Sequence, residues 1–165
     1  MSDVILFSLV VGIGATIALD IWVMIVKWVT GILPTNWGVV ARWLIGLTQG
    51  QFILNGADTT PPSAGQRALG WAFHYVIGIS YAVLLLLFWG SGFIHHPTVW
   101  PVVIIGFLAS TLAGMFILFP GLGAGVMAHK LPNQAVMLLY LVVAHAIFAA
   151  AQYGLASWVA SALSY

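Results

Sequence analysis

Four long apolar runs divided by short polar breaks give this chain its pattern: about residues 4–30, 64–90, 98–119 and 134–160. At about 1.5 Å of rise per helical residue, each is long enough to cross the roughly 30 Å of hydrocarbon in a bilayer. A fifth apolar run, Trp37 to Leu47, is only 11 residues long and contains Arg42. It is too short to cross, so it reads as a helix at about residues 36–48 lying in the interface, with Trp37, Val40, Ala41, Leu44 and Ile45 facing lipid or the bundle. The pattern predicts an all-α fold: a polytopic membrane four-helix bundle with an additional cytoplasmic-side interfacial helix, all in one domain over residues 1–165.

The breaks have matching local chemistry. Gly31 and Pro34 stop the first helix. The segment from Gly50 to Pro62 is polar and turn-rich, with Asp58 and Pro61-Pro62 marking a surface loop. Ser63-Ala64-Gly65-Gln66 is a capping-box pattern at the head of the second span, whose serine and glutamine can satisfy the first free amides. That span ends at Gly90-Ser91-Gly92. Thr98 is placed to cap the third span, with Pro101 tolerated in its first turn. Phe119-Pro120-Gly121-Leu122-Gly123-Ala124-Gly125 is expected to break or bend the chain at the membrane edge, and Pro132-Asn133 opens the fourth span. Gly106, Ser110 and Gly114 form two small-xxx-small steps, a face for close helix packing within the chain or against a second copy.

Composition fits lipid as the first partner. Of 165 residues, 62% are apolar and only seven are Lys, Arg, Asp or Glu, against the roughly 25% charged residues of a soluble domain. The net charge of +1 offers no footprint for nucleic acid. With no cysteine, disulfides, thiolate metal sites and cysteine nucleophiles are excluded. The amino terminus lacks the basic region of a secretory signal, and its apolar run is longer than a signal core, so it is expected to remain as the first span. Lys27, Arg42 and Arg67 flank the connection between spans one and two, and Lys130 lies between spans three and four. The other connection has no Lys or Arg, which predicts both termini on the periplasmic side of a bacterial inner membrane. Trp28, Trp37, Trp43 and Trp71 fall near the basic boundary, and Trp89, Trp100 and Trp158 near the opposite one, as an aromatic belt would.

Three ionisable residues fall deep inside spans. Asp20 is seven residues before Lys27, His74 eight after Gln66 and His145 eleven after Gln134. These spacings give depths of about 10, 12 and 16 Å from the basic ends. An Asp in mid-span costs roughly 2.5 to 3.5 kcal/mol on insertion scales, so a partner or a polar cavity is expected. One reading is a proton-relay or binding site of Asp20, His74 and His145, with Thr16, Tyr81 and Gln152 as polar neighbours. It would bind or translocate a proton-coupled ion or small polar solute, since imidazole titrates near neutrality and burial raises a carboxylate pKa. A second is a redox subunit, with Asp20, His74 and His145 around a divalent metal or His74 and His145 as axial haem ligands. A third is a structural or assembly protein in which the Asp and one His form a buried pair. No residue carries a catalytic signature. His95-His96 are adjacent on a loop and point apart, and the glycines of 121–125 lack the strand and Lys-Ser/Thr of a phosphate loop. Four spans are few for a pore, which makes a homo-oligomer an expectation of the first reading.

Taken together, Gly14-Ala15-Thr16, Asp20-Ile21-Trp22, Arg42-Trp43, Gly65-Gln66-Arg67-Ala68-Leu69-Gly70-Trp71, His74-Tyr75, Pro120-Gly121-Leu122-Gly123-Ala124-Gly125 and Ala144-His145 resemble a family of short bacterial inner-membrane proteins catalogued as a domain of unknown function. The resemblance covers almost the whole chain. It implies a bacterial four-helix membrane protein and brings no activity with it.

Overall fold

Each helix begins and ends where the local chemistry allows. The computed structural model describes residues 2–54, 56 and 58–164. Its spans are α1 (Ser2–Thr30), α3 (Ala64–Trp89), α4 (Val99–Gly121) and α5 (Gln134–Ala162), and the short helix is α2 (Trp37–Leu47). No strand occurs among the described residues. Only 22% to 33% of the most apolar stretch of each span is buried, so most of its apolar surface faces outward, as lipid contact requires. The all-α, four-span expectation holds.

Gly31 closes α1, donating its N–H to the Lys27 carbonyl at 2.9 Å from a left-handed conformation with φ of 75°, which glycine adopts without a Cβ penalty. Asn36 starts α2, its side-chain oxygen accepting from Gly38 N (3.1 Å) and Val39 N (3.3 Å). The capping box of α3 is complete: Gln66 Oε1 accepts from Ser63 N at 2.9 Å and Ser63 Oγ accepts from Gln66 N at 3.2 Å. Thr98 holds the extended N-cap conformation of α4 without a side-chain hydrogen bond, so it is a cap in backbone only. α4 is less regular than its sequence suggests, being π-helical over Val103–Ala109 and Gly114–Leu118. It also continues through Pro120 to Gly121, past the expected stop at Phe119.

The chain forms two compact units. The first comprises Met1–Pro34, Tyr75–Ser110 and Val142–Tyr165, and so contains α1 with the later parts of α3 and α5 and the first half of α4. Phe7, Val11, Leu85, Ile94, Ile105 and Val159 are among its buried core, with Phe7 edge-on to Phe93 at 6.0 Å. Lipid tails are as apolar as these side chains, so their burial does little to hold helices together in a bilayer, and close backbone approach matters more. The unit has such approaches at several glycines. A Cβ on Gly12 would overlap the Ile79 backbone, and one on Gly78 would overlap Thr16 Oγ1. On Gly106 it would overlap the Gln152 amide, with Ala149 also in contact. Gly106, Ser110 and Gly114 are each buried.

The second unit comprises Thr35–His74 and Thr111–Leu141. Here α2 packs on protein, with Gly38, Val40, Ala41 and Trp43 buried. Gly70 lets the Trp37 carbonyl approach α3, and Gly38 admits Pro62 and Arg67. Trp43, expected in the aromatic belt, instead packs on Gly121 and donates its indole N–H to the Phe52 carbonyl at 2.9 Å. Leu54 N bonds the Gly121 carbonyl at 2.8 Å, tying the polar loop to the end of α4.

Candidate functional site

Within the first unit, the mid-span carboxylate has a partner. Asp20 is half-buried on α1, and its Oδ2 accepts a hydrogen bond from the Tyr75 hydroxyl on α3 at 3.0 Å. The sequence reasoning missed Tyr75, although it adjoins His74 and supplies the donor that a carboxylate among apolar residues requires. Asp20 also lines a shallow, open groove of about 460 Å³ on α1 with Ile17, Ile21, Met24, Ile25 and Trp28. Thr16, one turn earlier, is buried and donates to the Gly12 carbonyl at 2.7 Å, so its hydroxyl is committed to its own helix.

His145 is half-buried on α5 in the same unit. Seven residues further on, Gln152 is 0% exposed, and neither its amide oxygen nor its nitrogen has a hydrogen-bond partner among the described residues. Tyr81 is edge-on to Phe148 with centroids 6.0 Å apart and packs against the apolar core. The first unit thus holds Asp20, Tyr75, Thr16, Tyr81, His145 and Gln152.

His74 belongs to the second unit. It is buried and stacks on Trp37 of α2, with centroids 4.0 Å apart and planes at 21°. Trp71 meets the ring edge-on at 5.7 Å. The Gly70–His74 face is thus filled by the head of α2. Among the described residues no three His, Asp or Glu side chains are grouped where they could hold a metal ion, so the divalent-metal reading of Asp20, His74 and His145 gains no support. His95 and His96 are exposed on the turn after α3.

The basic and acidic groups of the polar loop are clamped. Arg42 reaches Asp58 Oδ2 at 3.2 Å and the Thr60 carbonyl at 2.8 Å, while Arg67 donates to the Pro62 carbonyl at 2.6 Å. The Thr60 hydroxyl (2.6 Å) and N–H (3.1 Å) both donate to Asp58 Oδ1. Those bonds, with Arg42 beside them, hold the Asp58 carboxyl below the usual carboxylate pKa of 3.8.

Residues 9–160 match the model of one family, described as a protein of unknown function. The chain belongs to the DUF2938 family. The match takes in most or all of every span and the candidate site residues above. No curated protein and no solved structure matches the chain, so the DUF2938 assignment brings a family without an activity. What this DUF2938 chain does must be argued from its own side chains.

Proposed function

We propose that this small membrane protein binds or translocates a proton-coupled ion or small polar solute, with Asp20 as the group that exchanges the proton. The observation that carries the reading is the Tyr75 hydroxyl bonded to Asp20 Oδ2 at 3.0 Å. Ionisable residues inside spans are costly and mark substrate or proton pathways, and the phenol supplies the carboxylate with a hydrogen-bond donor there. His145 in the same unit is a second titratable group. His74, stacked on Trp37, contributes by fixing α2 to α3. In this proposal the protein sits in a bacterial inner membrane with both termini periplasmic, as the basic residues imply, and a second copy completes the path.

Proteoliposomes carrying a trapped pH dye test it. With a panel of monovalent and divalent cations and small polar solutes outside, the wild-type protein is expected to move protons with at least one of them. Asp20→Asn abolishes that flux, and Tyr75→Phe slows it. An unchanged flux in Asp20→Asn, or no flux with any member of the panel, overturns the reading.

A further inference from the structure

Gln152 is the least explained side chain of the molecule. It is 0% exposed and lies between Ala149 and Ala156 of α5, both members of the apolar core of the first unit. Its amide nitrogen and oxygen have no hydrogen-bond partner among the described residues, although burying an unpaired amide costs roughly 1 to 3 kcal/mol by mutational measures. The surface opposite is made for the amide: α4 has a glycine at 106, where a Cβ would overlap Gln152 Oε1. Gly106 also lies in the π-helical stretch Val103–Ala109, a geometry that is rare and recurs at functional sites. The nearby Ser110 hydroxyl is already spent, donating to the Gly106 carbonyl at 2.6 Å. Ser8 Oγ on α1, 5% exposed, is a second buried polar atom of this unit without a partner.

The chemistry of an amide narrows what satisfies it. It presents two donors and a carbonyl acceptor. A bare cation would leave the NH₂ unpaired, and a simple anion would leave the oxygen unpaired. A small neutral molecule that both donates and accepts satisfies both ends, and buried water does this in folded proteins with about three hydrogen bonds each. We infer that Gln152, set against the Gly106 turn of α4, is an internal hydration site that binds water inside the membrane-spanning part of the first unit. This deepens the proton-coupled reading and rests on it for its purpose. Gln152 lies seven residues from His145 along one face of α5, about 10 Å, so water there places a hydrogen-bonding step between His145 and the end of α5 at Ala162.

The test reads the amide directly. Ala151-Gln152 is the sole Ala-Gln pair in the sequence, so wild-type protein labelled with ¹³C-carbonyl alanine and ¹³C,¹⁵N-glutamine reports Gln152 alone by solid-state NMR in lipid bilayers. Magnetisation transferred from water is expected to reach the Gln152 side-chain NH₂ several-fold faster than it reaches the Gln152 Cβ. Gly106→Ala, whose methyl takes the space at Oε1, is expected to slow that transfer. A Gln152 amide no faster than its own Cβ in the wild-type protein overturns the site. The measurement is separate from proton flux: water at Gln152 with no Asp20-dependent flux would retire the proposed function and keep the hydration site, and the reverse result would do the opposite.

Discussion

Asp58 is held charged by bonds that exist only in the folded loop. The two donors of Thr60 come first, then Arg42, and together they lower its pKa below 3.8. A group with a depressed folded pKa contributes stability that is fully present above its unfolded pKa and is lost as pH falls through the folded value. The loop from Gly50 to Pro62 should therefore hold its structure at neutral pH and loosen as pH drops below about 4. Proteolysis of this loop followed against pH checks it: the wild type should become cleavable in that range, and Asp58→Asn should be more cleavable than the wild type at neutral pH and vary less with pH. At the other polar pair, Tyr75→Phe removes the donor to Asp20, and interhelical hydrogen bonds in membranes are worth about 0.6 kcal/mol on average and at most about 1.7. A loss within that range is expected in unfolding titrations in mixed micelles, whereas Asp20→Asn keeps an acceptor oxygen and should cost less. The demand for a partner at Asp20 was legible from its depth alone. The identity of the partner was not, because periodicity along one helix carries no information about which face of another it meets. The same gap hid Trp37: nothing local to Gly70 and His74 on α3 pointed to an indole on a helix preceding it across a polar loop.

Among the helices, α2 shows how far pattern reading reaches. Its bounds and its 11 residues agree with the sequence, because length and capping are local properties. What its apolar face meets was not legible, because such a face serves lipid and protein equally well; Val40 and Ala41 of that face are buried. Gly70 is the hinge of that packing, since a Cβ there would overlap the Trp37 carbonyl, which as backbone cannot swing aside. Gly70→Ala should destabilise the protein by about 1 to 3 kcal/mol, the usual cost of overpacking. It should also move the Trp37 indole off His74, seen as a change in fluorescence in a variant retaining Trp37 as its only tryptophan. α4 marks the opposite limit. The spacing of Gly106, Ser110 and Gly114 correctly announced a close contact, now seen between Gly106 and Ala149 of α5. The π-helical turns that deliver it had no sequence signal, since they depart from the 3.6-residue period on which the reading depends.

For the molecule as a whole, the number of spans follows from composition, while their direction rests on four charges. Lys27, Arg42 and Arg67 lie at or between the facing ends of α1 and α3, and Lys130 lies between α4 and α5, so every Lys and Arg of the sequence is on the two connections of one side. The connection between α3 and α4 has none. The bias acts over short loops near span ends, and these loops are short. Carboxylates contribute little to it, so Asp3 near one terminus does not offset the count. The clamped state of Arg42 and Arg67 in the folded protein is no objection, since orientation is set during insertion by charges that are not yet paired. Because the sequence has no cysteine, a single one introduced at an exposed position is the only thiol present. Cysteines at Ser2 and Ser91 are expected to react with a membrane-impermeant maleimide in intact spheroplasts. Those at Thr59 and Lys130, also exposed, should react only after the membrane is opened. Labelling of 59 or 130 in sealed spheroplasts would reverse the orientation, and with it the side from which a proton first reaches Asp20, which lies nearer the basic end of α1.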